Sequence, residues 1–406
     1  MNHSPGACAK PGSNRPRYEV AQIARAHASC LTDLLNAEQK AVLRAITACR
    51  TAELGGHLQV CHDCGLEQPR YNSCRNRHCP KCQALAQYRW LQARKERILP
   101  VHHFHVVFTV PEELRALILR NRRVLYTLLF ETAPHGLLAL GADTKRLGAE
   151  LGVTAVLHTW ARDLGFHPHL HCVVTGGGLN TAGDGWVETN PGFLFPVRVL
   201  GSLFRGKFLA GLRKLYEQGH LDLTRTCALL RERDVFRRLL DRLYTKRWHV
   251  YCKPPFGDTE SVFAYLGRYT HRVGISNARI THVDDTQVRF RTRHGKHATV
   301  TPQEFLRRFM LHVLPKGFVR IRHFGILASG NVNTKLAEAM RLLGTRRRPE
   351  KTLQEESSPP AESDHNSPAY IALYKELTGI DLQRCSRCRS LSTSIVAIQS
   401  KARAPP

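Results

Sequence analysis

His169-Leu170-His171 and, further along, Tyr265 and Tyr269 are the residues whose types and spacing could do chemistry together. In an extended strand, residues i and i+2 share a face. The two imidazoles would then project side by side, with Leu170 and Cys172 pointing into a core. Paired imidazoles bind a divalent metal. In a helix, residues i and i+4 share a face, so the two phenols would also project together. A metal beside two phenols in a basic chain suits phosphodiester chemistry with tyrosine as the nucleophile.

Other histidines could complete the metal site. His158 falls at the end of a strand candidate, Gly152 to Thr159, and His169 to Thr175 forms the next one. A short connector would make the two an antiparallel hairpin, from which His158 could face the same metal across the ladder. His167 is nearer in sequence, but Pro168 interrupts the strand there. His103 and His105, on a strand candidate at 101–110, are secondary candidates. Gly176-Gly177-Gly178 lacks the pattern of a phosphate loop and is expected to be a turn.

The tyrosines need a helix. Thr259 is a plausible N-cap for one reaching about His271. Val262, Phe263, Leu266 and Thr270 form its apolar stripe, with Tyr265 and Tyr269 along one edge. Arg268, His271, Arg272 and Arg279 cluster nearby, and Lys253 lies just upstream. A phenol ordinarily titrates near pH 10, so such cations would favour the phenolate and contact phosphate.

The cysteines form a second pattern. Cys61-His-Asp-Cys64 and Cys79-Pro-Lys-Cys82 are two C-x-x-C knuckles, which together would complete a tetrahedron around Zn²⁺. Cys74 and His78 lie between them and His57 just before, so there are more ligands than one zinc needs. Either Cys74 or His78 replaces one of the four, or a second site exists. Arg75 and Arg77 within this region, and Arg94, Lys95 and Arg97 on a following helix, suit phosphate contacts.

Composition agrees with a polyanionic partner. Lys and Arg total 60 against 33 Asp and Glu, a net charge of +27, which points to nucleic acid. No wholly apolar stretch of membrane-spanning length and no signal-type apolar core at the start are evident. The expectation is therefore a cytoplasmic protein without a membrane partner. Many cysteines in a long chain of this kind argue for metal ligation over disulfides.

Tyr265-Leu-Gly-Arg-Tyr-Thr-His-Arg-Val-Gly-Ile-Ser-Asn277, His167-Pro-His-Leu-His171 and Tyr71-Asn-Ser-Cys-Arg-Asn-Arg-His-Cys-Pro-Lys-Cys82 together resemble the two-tyrosine HUH transposases of rolling-circle insertion sequences. The resemblance spans roughly residues 20 to 345. It implies an α+β fold: an antiparallel, palm- or RRM-like HUH nuclease sheet of five strands, preceded by a zinc-binding domain. It implies that His169 and His171, with His158 as third ligand, hold Mg²⁺ or Mn²⁺, and that Tyr265 and Tyr269 cleave single-stranded DNA at the element's ends.

The expected division is a zinc-binding DNA-recognition domain at 1–98, a catalytic domain at 99–345, and a flexible linker and tail at 346–406. In that tail Cys385 and Cys388 have no later partner, and the segment is expected to be degenerate or disordered. Two alternatives stand beside the transposase: a replication initiator or relaxase with the same chemistry, and a zinc-dependent DNA-binding protein that does not cleave.

Overall fold

The computed structural model describes residues 16–95, 97–256, 267, 274–344, 368–378 and 381–398. In chain order the helices and strands are α1 (Val20–His27), α2 (Ala37–Ala48), β1 (Gly56–Cys61), β2 (Glu67–Tyr71), α3 (Gln83–Lys95) and β3 (His103–Thr109). Next come α4 (Arg115–Arg120), α5 (Arg122–Ala142), β4 (Ala149–Trp160), β5 (Phe166–Asn180), β6 (Trp186–Glu188), α6 (Val197–Glu217), α7 (Arg233–Thr245) and β7 (Val250–Phe256). The remainder are β8 (Ile280–Val283), β9 (Val288–Arg291), β10 (His297–Val300), α8 (Pro302–Met310), β11 (Ile321–Gly325), α9 (Lys335–Leu342), α10 (Pro368–Thr378) and β12 (Thr393–Ile398). The fold is α+β, as the sequence leads one to expect.

The central sheet has the order β11-β4-β5-β3-β7, every pair antiparallel, with β6 lapping onto β5. Alternation along the strands gives it two unlike faces. Phe104, Val106 and Phe108 of β3, Val153, Ala155 and Leu157 of β4, and Leu170, Cys172 and Val174 of β5 form one buried apolar core with Leu129, Phe130, Phe204 and Phe208 of α5 and α6. The opposite face carries His103 and His105, Thr154 and His158, His169 and His171, and His323, placed there by the ladder register. Among the described residues α5 alone is long and apolar enough to cross a membrane, and 67% of its apolar window is buried, much of it against this sheet. Pro254 and Pro255 fall in β7, an edge strand whose pairing with β3 is irregular between His103 and His105.

A second core joins the N-terminal helices to the region after the tyrosines. Val20, Ile23 and Ile46 of α1 and α2 are buried with Phe290 of β9 and Phe305 and Phe309 of α8. Local signals start two of these helices. Asn36 and Gln39 form a reciprocal capping box on α2, and Thr301 accepts from Glu304 N at 3.2 Å before Pro302 at the first turn of α8. The same core holds the tip of the β4–β5 hairpin through Leu164. There His312 Nε2 meets Leu164 O at 3.0 Å, and its Nδ1 meets Thr159 Oγ1 at 3.2 Å.

Gly176, Gly177 and Gly178 are not the expected turn: they lie inside β5. A Cβ would stand 2.2 Å from the His102 ring at Gly176, 2.5 Å from Val187 O at Gly177, and 2.2 Å from Glu150 O at Gly178. Glycine is required by close approach of neighbouring strands, a signal that resembles a turn in sequence.

Two outcomes follow. Gly178→Ala should destabilise the protein by roughly 1–3 kcal/mol in urea denaturation, because a backbone carbonyl cannot step aside as a side chain can. Burial holds His312 at about 4 instead of the ordinary 6.5, so the unfolded chain protonates first as pH falls. Its contribution is complete above about pH 6.5 and lost progressively toward pH 4. In His312→Gln the slope of stability against pH across that interval should be shallower, by up to roughly 1.4 kcal/mol per pH unit.

Candidate functional site

The register of β4 against β5 sets His158 directly opposite His169, and His171 follows on the same face. One ring nitrogen from each of the three lies within 4.8 Å of the others. His169 Nε2 is 3.0 Å from His171 Nε2. Two adjacent ligands about 2.1 Å from one ion at right angles stand about 3.0 Å apart, so the pair is already spaced for a shared cation. The triad expected from sequence is brought together.

Hydrogen bonds on the far side of the rings select the tautomers. His169 Nδ1 donates to His167 O at 2.7 Å, which leaves Nε2 with its lone pair. His171 Nδ1 faces His105 Nε2 at 2.9 Å, the two rings stacked at 4°. His158 stacks on Trp160 with centroids 4.5 Å apart. Burial holds His169 at about 4 and His171 well below the ordinary histidine value. Both are therefore neutral at neutral pH, the form that ligates a metal. His105 thus orients a neighbour's ring. His103 points its Nδ1 at Val101 O, 2.8 Å away, and stands outside the triad.

Tyr265, Tyr269, Arg268 and Arg272 lie outside the described residues. Gly267, between the two tyrosines, is described: Gln87 Nε2 donates to its carbonyl, and a Cβ there would meet Leu91 Cδ1 at 3.0 Å. Gly267 therefore rests on α3. That helix also lies over the histidine face, since Trp90 and Arg94 line one cavity with His103 and Thr154.

The cysteines assemble into two tetrads, and the expected grouping of Cys61, Cys64, Cys79 and Cys82 is corrected. Cys79 and Cys82 join Cys49 and Cys74, while Cys61 and Cys64 join Cys385 and Cys388. In the first, Cys49–Cys82, Cys49–Cys79 and Cys74–Cys82 sulfurs are 3.5, 3.6 and 3.7 Å apart. In the second, Cys61–Cys388 and Cys64–Cys385 are 3.5 and 3.6 Å apart. These are near the edge of a tetrahedron with Zn–S of about 2.3 Å, about 3.8 Å, and far beyond a disulfide bond. Backbone N–H groups of the tail knuckle hold the Cys385 thiol down to about 6, led by that of Cys388, and the neighbouring Cys74 thiol leads in lowering Cys49 to about 7. The donor sets fit structural Zn²⁺ without a histidine. His78, the expected alternate, instead accepts from Leu314 N at 3.1 Å.

The tail is likewise not degenerate. β12 pairs antiparallel with β1 from Gly56↔Ile398 to Cys61↔Thr393, which carries the second knuckle to its partner. Cys49 went unrecognised because it belongs to no C-x-x-C motif. Cys385 and Cys388 were recognisable as a knuckle, but their partners are more than 300 residues upstream.

The expected DNA-contacting arginines divide. Arg75 and Arg77 line a cavity of about 240 Å³ with Arg320. Burial, with Arg77 nearby, lowers Arg320 to about 9. Arg77 also donates to Phe318 O at 2.8 Å. Arg279 donates to Arg291 O at 2.9 Å and to Arg162 O, tying β9 to the hairpin tip. Lys253 is exposed on β7, in register with His105.

A His-hydrophobic-His pair on an antiparallel strand, completed by a third histidine next to it and accompanied by cysteine knuckles, marks the HUH class of transposases. Comparisons with known proteins carry this to a family. Residues 152–335 match the family described as putative transposase, and residues 21–110 match the transposase zinc-binding domain. The chain is 45% identical over 379 residues to the putative transposase y4qJ of Sinorhizobium fredii, covering 92% of each. It is 31% identical over 315 residues to the transposase for insertion sequence element IS801 of Pseudomonas savastanoi pv. phaseolicola, covering 73% of this chain and 72% of that one. No solved structure matches. The chain belongs to the IS91-type insertion-sequence transposases, with an N-terminal zinc-binding domain.

Protein purified without chelators should contain about two zinc equivalents by elemental analysis. Cys385→Ser/Cys388→Ser should lower this to one and open the tail to limited proteolysis; an unchanged zinc content would refute the second tetrad.

Proposed function

We propose that this transposase cleaves and rejoins single-stranded DNA at the ends of its element, with tyrosine as the covalent carrier. The observation that carries the reading is the histidine triad, spaced for one cation, on the face of the sheet covered by the helix that touches Gly267. His158, His169 and His171 would hold Mg²⁺ or Mn²⁺. The ion, when bound, supplies charge that polarises the scissile phosphate.

Every other part is the chain's own. Either Tyr265 or Tyr269 loses its proton and attacks phosphorus. A tyrosyl O–P bond forms, the P–O3′ bond breaks, and the leaving oxygen takes up a proton as a free 3′-OH. The 5′-phosphotyrosine retains the ester's energy, so a later 3′-OH can attack it and release the tyrosine without another energy source. A second tyrosine allows another strand to be cut while the first remains loaded, as rolling-circle transfer requires. Lys253, Arg75 and Arg77, with Arg268, Arg272 and Arg279, would contact the strand's phosphates. In this reading residues 1–98 recognise the element and 99–345 perform the chemistry.

The test is a labelled single strand spanning the element's terminus, incubated with Mg²⁺ or Mn²⁺. A covalent protein–DNA adduct surviving denaturation should form and vanish in Tyr265→Phe/Tyr269→Phe. His105→Ala should lower adduct formation by roughly 10–100-fold, with recovery at higher metal concentration, since it orients His171 and does not itself ligate. No adduct with either metal on the authentic ends would shift the reading to a DNA-binding protein that does not cleave.

A further inference from the structure

One cavity beside the triad remains without a task. Trp90 and Arg94 of α3, Arg97 just beyond it, His103 of β3, Thr154 of β4 and His323 of β11 line an open-mouthed recess of about 40 Å³, and among the described residues no carboxylate lines it. Its floor is the next row along the same sheet face. Val173, which also lines it, follows His171 by two residues on β5 and pairs with Thr154, whereas His171 pairs with Val156. One such step is about 6.8 Å, the reach of a single nucleotide from a phosphate held at the triad.

The lining is organised for a flat, polar-edged ligand attached to an anion. Arg94 lies over the Trp90 ring, 5.5 Å from its centroid. Its Nε donates to His323 Nε2 at 3.3 Å, and His323 Nδ1 meets Thr154 Oγ1 at 3.0 Å. This chain of hydrogen bonds fixes the imidazole. Burial depresses both Arg94 and His323 below their ordinary values, and Arg97 adds repulsion to each. A desolvated cluster of this sign is relieved by a phosphate, and an aromatic with a guanidinium plane offers a base a stacking surface. Gln87 and Leu91, which touch Gly267, share the inward face of α3 with Trp90 and Arg94. The recess thus adjoins the triad's row and shares α3 with the contacts to Gly267.

We infer that this recess is a subsite for the nucleotide adjoining the scissile phosphate, its base stacked in the Trp90–Arg94 recess and its backbone phosphate met by Arg97. The inference rests on the proposed single-strand cleavage and deepens it by naming where a neighbouring base is held.

The experiment separates the two. Fluorescence anisotropy with the full-length Tyr265→Phe/Tyr269→Phe protein would measure binding of labelled single strands spanning the element's terminus. An abasic residue is moved one position at a time along each strand. One position should weaken binding by roughly 5- to 100-fold, as loss of one stacked base does. Adding Trp90→Ala should abolish the penalty at that position alone, and Trp90→Phe should restore most of it. Arg94→Gln, which leaves the ring in place, should reduce the penalty and supports the same conclusion should Trp90→Ala fail to fold. A penalty profile unchanged by both Trp90→Ala and Arg94→Gln, or no position-specific penalty at all, would overturn the subsite. Adduct mapping on the wild-type chain then reads the chemistry separately. If adducts form but the sensitive position is remote from the joined phosphate, the subsite is wrong and the cleavage reading stands. If binding is position-specific but no adduct forms, the recess holds a base and the cleavage reading falls.

Discussion

The constraint on which the structure depends is the register of β4 against β5. Because Leu157 and Leu170 must face the core, their neighbours His158, His169 and His171 are forced onto the opposite surface. A slip of one residue would bury imidazoles among Phe108, Phe130 and Phe204 and expose the leucines, an exchange that desolvation alone forbids. The core therefore specifies the geometry of the histidine triad, and the histidines need not stabilise the sheet to be held close together. His312 and Leu164 at the hairpin tip, together with the glycines of β5, support that register from its two ends.

The cysteine tetrads extend this positioning beyond the sheet. Cys82 is the residue immediately before α3, so the first tetrad anchors the start of the helix that covers the histidine face and touches Gly267. The second tetrad closes a loop of more than 300 residues between Cys61 and Cys388. Closure entropy grows only slowly with loop length, but a loop this long still carries a large cost, and metal ligation plus the β1–β12 ladder must meet it. The consequence is a chain whose last strand completes a sheet begun near its start.

Legibility in the sequence followed the range of the interactions. His158, His169 and His171 could be placed because strand periodicity and a short connector are local facts. The antiparallel sheet followed from the family resemblance, and the strand candidates at 101–110, 152–159 and 169–175 correspond to β3, β4 and β5, whereas β11 at its edge had no candidate. The cysteine pairing could not be read this way. C-x-x-C marks a half-site, and which halves meet is a tertiary outcome, so adjacency wrongly favoured Cys61/Cys64 with Cys79/Cys82. Cys49, at the end of α2, carries no motif. The glycine run of β5 misled because a residue lacking Cβ serves equally for a turn and for close strand packing. Arg279 and Arg77, expected from their clustering to contact phosphate, also hold backbone carbonyls with part of each guanidinium, a use that no local sequence signal marks.

The roles of α3 follow from these links. Its N-terminal end is set by four thiols, its inward face meets Gly267, and its C-terminal half closes the recess next to the triad. A helix with no fully buried residue of its own owes its position to such anchors more than to a core. Loss of metal from the first tetrad would release its beginning, and the contacts at Gln87, Leu91 and Trp90 would loosen together. The zinc-binding region is in this sense one wall over the histidine face.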